Sequence, residues 1–138
     1  MRALGVDYGD ARIGIALGDP LGLTAQSYEV IDCRRVRDPI GRISQIAREH
    51  EVDVIVMGLP RNMNGTYGER AEKTRIFAQE VALSTGLPVE WMDERLSTVG
   101  ANRSLLEGDV SRAKRRQVID KVAATLILQA YLDRKGRA

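Results

Sequence analysis

Three acidic positions stand where a charged side chain is hard to explain by solubility alone. Asp7 ends the apolar run Leu4-Gly5-Val6, and Asp93 and Glu94 end the run Val89 to Met92. Asp120 stacks at helical spacing on Ala123 and Ala124, with Ile127 and Tyr131 further along the same face. Burying a carboxylate costs several kcal/mol unless it is paired or binds a metal. The plainer alternatives are a turn cap at Asp7, an Arg95 partner for the strand-end acids, and Lys121 or Arg116 snorkelling to Asp120. Strand side chains alternate faces, so only one of Asp93 and Glu94 can share a site with Asp7. Three converging carboxylates repel one another and are stable together only with cations present. Oxygen ligands suit Mg²⁺ or Mn²⁺, and a pair of such ions supports in-line attack of water on a phosphodiester.

Other hydrolytic chemistries lack their residues. His50 is the single histidine and Cys33 the single cysteine, so neither a His/Cys zinc site nor a Ser-His-Asp triad can be assembled in the ordinary way. A lone cysteine also excludes an internal disulfide and fits a reducing compartment. No apolar run approaches the roughly 18 residues of a membrane span, and no signal-peptide pattern opens the chain. A cytoplasmic protein is expected. The 138 residues suit a single domain over 1–138. Charge is concentrated: residues 111–121 hold five basic residues against one acidic, a net of +4, so in a chain of net charge +2 the remainder carries −2. Arg112, Lys114, Arg115 and Arg116, expected in a loop and the helix start after it, make a candidate phosphate-binding patch beside Asp120.

These groups must be held by elements the pattern makes legible. Residues 2–8, 12–17 and 26–32 read as three strands joined by short turns, an antiparallel meander. Asp38-Pro39 reads as an N-cap and first helical residue, followed by Ile40, Ile43, Ile46 and Ala47 at helical spacing. Val52 to Met57 is a buried parallel strand ended by Gly58-Leu59-Pro60. A second helix carries Ala71, Thr74, Ala78, Val81 and Ala82 and stops at Gly86. Val89 to Met92 is a fifth strand, a short helix is expected from Ser97 to Leu106, and a last helix from about Arg116 to Arg134. That last helix is expected to bury Ile119, Val122, Ala123, Leu126, Ile127 and Ala130. The order β-β-β-α-β-α-β-α-α predicts an α/β fold, one mixed sheet with helices on both faces. Ligands then belong at the carboxyl ends of the strands.

Four motifs, in this order, resemble the YqgF family: Gly5-Val6-Asp7-Tyr8-Gly9 with Arg12-Ile13-Gly14-Ile15-Ala16; Gly58-Leu59-Pro60-Arg61-Asn62-Met63-Asn64-Gly65; Asp93-Glu94-Arg95-Leu96-Ser97-Thr98; and Ile119-Asp120-Lys121-Val122 through Gln129. Members of that family are described as pre-16S rRNA nucleases and as Holliday-junction resolvase-like proteins. The resemblance spans essentially the whole chain. It implies an RNase H-like fold, a five-stranded mixed sheet in the order 3-2-1-4-5. It puts the metal-binding and catalytic acids on Asp7, Glu94 and Asp120, favouring Glu94 over Asp93. Its motifs add Arg12, Asn62 and Arg95 to the basic segment as nucleic-acid contacts. The chain departs from the family pattern at Asn64, where Asp is usual, at Asp10-Ala11, where a hydroxyl and a basic residue are usual, and at Gly18, where Ser is common. None of these removes a presumed ligand, but the loss of a basic side chain near Ala11 weakens phosphate contact there.

Two other classes compete. The first hairpin also resembles the phosphate loop of actin-like ATPases, which need two lobes where this chain has length for one, and no Walker loop is present. A non-catalytic nucleic-acid-binding processing factor is the other. Within nucleases, precursor rRNA is favoured by the resemblance and branched DNA is the alternative. With no apolar stripe left over for a dimer face, a monomer or weak homodimer is expected. One Trp, one Phe and four Tyr exclude extensive base stacking, so backbone and shape contacts are expected to dominate.

Overall fold

Period-two burial in the first half of the chain and helical periodicity in the second resolve into one five-stranded sheet with helices on both faces. The computed structural model describes residues 1–60, 66–94 and 112–136, with the backbone alone over 112–121. The elements are β1 (Ala3–Asp7), β2 (Arg12–Gly18), β3 (Ala25–Asp32), α1 (Pro39–Glu49), β4 (Val54–Leu59), α2 (Glu69–Thr85), β5 (Val89–Asp93) and α3 (Arg112–Gly136). The sheet order is β3-β2-β1-β4-β5. The meander β1-β2-β3 is antiparallel, and β4 and β5 add in parallel. The expected order 3-2-1-4-5 is the one observed, and β1 is the central strand.

Side-chain alternation divides the core in two. Leu4, Val6, Ile13, Ile15, Ile55 and Met57 face α1 and α2, against Ile43, Ile46, Phe77, Ala78 and Val81. The opposite face is built from smaller residues, among them Ala3, Ala16, Val54 and Val56, and it packs on Ala123, Ala124, Ile127, Leu128, Tyr131 and Leu132 of α3. A Cβ at Gly5 would lie 2.8 Å from Leu128 Cβ and 3.0 Å from the Ala124 carbonyl oxygen, so the helix lies almost on the strand backbone. Gln129 pins the same helix at the other end: its Oε1 accepts from the Ala25 N–H at 2.9 Å and its Nε2 donates to the Leu23 carbonyl at 3.0 Å.

Local signals behave as their chemistry requires. Asp38 Oδ1 accepts the Gly41 N–H at 2.9 Å with Pro39 at the first helical position, a cap of about 1 kcal/mol. Gly86 ends α2 in the left-handed region, φ 70°, its N–H donating to the Ala82 carbonyl. Three expectations need correction. The fourth strand begins at Val54 rather than Val52, because the Val52 N–H is taken by the Ala47 carbonyl at the end of α1. It also runs on through Gly58 and Leu59, which pair with Met92 and Asp93 of β5. The last helix starts at Arg112, so Arg112, Lys114, Arg115 and Arg116 lie in its first turns and not in a loop. Arg, Ala, Lys and Gln are all good helix formers, and polarity alone does not make a loop of them. The buried stripe of α3 is also rotated from the expected one: Val122, Leu126 and Ala130 are half-buried, and Ala124, Leu128, Tyr131 and Leu132 join the core instead. The helix expected over 97–106 lies outside the described residues.

Candidate active site

The site builds outward from β1. Ala3 and Gly5 face α3, so alternation turns Asp7 to that side as well. Asp7 is 5% exposed, at the carboxyl end of the central strand. Its cross-strand partner in β2 is Gly14, and continuing the register Val6↔Met57 by one residue brings Gly58 of β4 beside it on the other side. The carboxylate therefore lies between two positions without side chains.

Glu94 follows β5 directly. In β5, Met92 belongs to the α3 side of the core, so Asp93 turns away and Glu94 returns to the α3 face. Its carboxylate reaches back across β4: a Cβ built on Gly58 would meet Glu94 Oε1 at 3.2 Å and Glu94 Cγ at 3.3 Å. With neighbouring strands about 4.8 Å apart, Glu94 Oε1 comes within about 8 Å of the Asp7 Cβ position. Gly58 is thus more than a strand terminator, because any side chain there would occupy the space between the two acids. The residue analysis missed this role. A glycine inside a buried strand pattern is the signal that could have found it.

Asp120 lies on α3, and its side chain is outside the described residues. The backbone still constrains its level. Leu132 approaches Gly18 beside Ala3, and Ala124 and Leu128 approach Gly5, so α3 runs against the direction of β1. One turn back from Ala124 is a rise of about 6 Å, and Gly5 to Asp7 is a similar advance of about 6.6 Å. Residue 120 is carried to the level of Asp7. Among the described residues no group of three or more His, Cys, Asp or Glu side chains could hold a metal ion. The described pair, both acceptor-only oxygen ligands, fits a hard divalent cation in its donor chemistry.

Around the acids, Tyr8 stacks on Phe77 with ring centroids 4.5 Å apart. Burial, with the nearby Asp10 charge, pushes its phenol above the usual tyrosine range, so it stays protonated at neutral pH and is no base. Lys73 of α2 reaches Asp10 in the β1–β2 turn at 3.8 Å, an exposed and weak pair. Burial also raises the Cys33 thiol, which keeps it protonated and inert. Arg12 opens β2, half-buried and paired in register with Asp32. Asn62 and Arg95 lie outside the described residues, as do the side chains of Arg112, Lys114, Arg115 and Arg116.

Comparison with known proteins follows this geometry. Residues 1–134 match the model of the family described as RuvX, Holliday junction resolvase. A protein of Symbiobacterium thermophilum called "Putative pre-16S rRNA nuclease" is 58% identical over 136 residues, covering 99% of this chain and 94% of that protein. A protein of the same description from Moorella thermoacetica is 52% identical, covering 99% and 98%. Among solved structures, Thermus thermophilus RuvC bound to a Holliday junction superposes with a TM-score of 0.57 at 18% identity, covering 99% of this chain and 96% of that one. The fowlpox virus Holliday junction resolvase gives 0.53 at 12% identity, covering 97% and 99%. At such identities the structural likeness speaks for the fold, which is RNase H-like.

Proposed function

The chain belongs to the RuvX family, and we propose that it cuts nucleic acid with Mg²⁺ or Mn²⁺ held by Asp7, Glu94 and Asp120. It is a nuclease, a hydrolase acting on phosphodiester bonds. The observation that carries the site is Glu94 laid over Gly58 toward the buried Asp7. When bound, two divalent ions about 4 Å apart supply an activated water and neutralise charge developing on the phosphate. The chain supplies the rest. Asp7, fixed in the central strand, is the rigid anchor. Glu94, at a strand end, closes the other side. Asp120 approaches from the helix above. Three strong acceptors held without solvent are matched to cations and mismatched to everything else.

The substrate we favour is the precursor end of 16S rRNA, supported by relatives above half identity that carry that description. Among the described residues no helix is long and apolar enough to cross a membrane. We place the reaction in the cytoplasm, with the chain acting as a single domain and as a monomer or weak homodimer. Side-by-side cleavage of a precursor 16S rRNA end and a four-way DNA junction tests the substrate. Mg²⁺- or Mn²⁺-dependent cutting of the RNA at the greater rate is expected. Faster cutting of the junction would transfer the assignment to branched DNA, in line with the family description.

The basic segment has a physical argument of its own. The first turn of α3 carries no acidic residue, and Arg112, Lys114, Arg115 and Arg116 sit at the positive end of the helix dipole, where cations are disfavoured. A phosphate backbone at that end offsets both. Replacing Lys114, Arg115 and Arg116 with Ala should flatten the salt dependence of single-strand binding by roughly two units, at about 0.7 per phosphate. Binding to different sequences should weaken by similar factors. An unchanged slope would assign the patch to solvent or a protein partner.

A further inference from the structure

Away from the acids, β5 and the C-terminal part of α3 enclose a cleft of about 440 Å³ lined by Glu90, Trp91, Met92, Tyr131, Arg134 and Lys135. Two of its polar atoms, Glu90 Oε2 and the Tyr131 hydroxyl, are buried and have no hydrogen-bond partner among the described residues. Tyr131 is 6% exposed. Buried polar atoms are nearly always satisfied, and leaving one unpaired costs roughly 1–3 kcal/mol. Here a carboxylate acceptor and a phenol lack partners in the same cleft. The cleft also has an indole that is 38% exposed and two cations against one acid, and Lys135 Nζ stands 5.7 Å from the Tyr131 ring centroid.

We propose that this cleft is a guanine-nucleotide pocket. The carboxylate of Glu90 is an acceptor-only group, and guanine presents two adjacent donors, N1–H and the N2 amino group, on one edge. The neighbouring O6 accepts from the Tyr131 hydroxyl. Trp91 offers a face or edge to the ring, and Arg134 and Lys135 take the phosphate. Uracil has a single N–H and no amino group for the carboxylate. Adenine and cytosine offer an amino group without the adjacent N–H. A net positive lining makes an anionic ligand the fit, rather than a basic peptide. A single such pocket agrees with a composition too poor in aromatics for extended stacking. The guanine can arrive as a free nucleotide or within a strand. The second source rests on the nuclease assignment. Met92 in the cleft wall is two residues from Glu94, about 6.6 Å along the strand, so a strand held here could pass on to the acids.

Trp91 is the chain's single tryptophan, so its fluorescence reports this cleft alone. The full chain is titrated in EDTA with GMP, IMP, AMP, CMP and UMP, and with a five-residue RNA holding one central G or none. GMP or the G-containing RNA should change Trp91 emission with an affinity about tenfold or more above the other bases, the discrimination expected of a paired donor-acceptor contact. IMP, lacking the amino group, should fall with the weaker ligands. Response to both identifies a free-nucleotide pocket, and response to the RNA alone a strand pocket. Glu90→Gln should abolish the preference, and Tyr131→Phe should weaken it without altering the circular dichroism spectrum. Equal response to all bases, no response to either guanine ligand, or a guanine preference that persists in Glu90→Gln would overturn the proposal. Because metal is absent, a chain that discriminates guanine but cuts nothing retains the pocket and loses the nuclease assignment.

Discussion

Asp7→Asn should leave a folded chain that still binds nucleic acid but cuts it about a thousandfold more slowly. The substitution preserves shape, and Asp7 is buried between Gly14 and Gly58, so nothing around it needs to repack. What changes is charge. An amide offers one neutral acceptor where a carboxylate offers two charged ones, and its NH₂ points donors at the cation. Metal stabilisation of the transition state is worth several kcal/mol, and each 1.36 kcal/mol is a factor of ten in rate, so loss of most of it gives about three orders of magnitude. Single-turnover cleavage at saturating enzyme, with binding measured in parallel, separates the two functions. Activity within about tenfold of the parent would remove Asp7 from the metal site.

Gly5→Val should cost at least about 1–3 kcal/mol of stability, the ordinary toll of overpacking a tight core. Cleavage should be impaired even where the variant is fully folded. The new side chain meets Leu128 Cβ at 2.8 Å and the Ala124 carbonyl at 3.0 Å, atoms that cannot swing aside as a flexible side-chain tip can. The relief available is to lift α3 from the sheet, and α3 carries Asp120 one turn away. A displacement of about 1 Å in a positioned group can cost a hundredfold in rate. Denaturant midpoints and cleavage well below the transition should be compared with Gly136→Ala, whose added methyl meets nothing within 4 Å. A Gly5→Val chain as stable and as active as that control would contradict the close helix–strand contact.

The sequence was most informative where one residue's chemistry decides the local backbone. Asp38-Pro39 could hardly be anything but a helix start, and Gly86 is the residue that adopts φ 70° without strain. Strand order followed from counting short turns and long crossovers. Legibility failed where an outcome depended on a distant partner. Gly58 reads as a breaker until β5 pairs with it. Asp93 and Glu94 are indistinguishable until Met92 is known to face α3. The burial of Val122 against Ala124 depends on a rotation of α3 that only the small residues of β1 and β2 determine. Polarity was mistaken for a loop at Arg112 to Arg115, where helix propensity prevailed. The acids themselves stood out because charge at the end of an apolar run is costly wherever the chain puts it.

The contact between the first strand and the last helix has a bearing on timing. Gln129 bonds to Ala25 across 104 residues of sequence, and the α3 face of β1 has no cover until that helix arrives. A chain leaves the ribosome at about 5–20 residues per second from its amino end. Asp7 is therefore among the first residues made, and its partner face among the last. The half-made protein carries an exposed apolar sheet and an incomplete set of acids. A nuclease built in this order is inert throughout its own synthesis, while it is tethered beside ribosomal RNA, and becomes competent only after release.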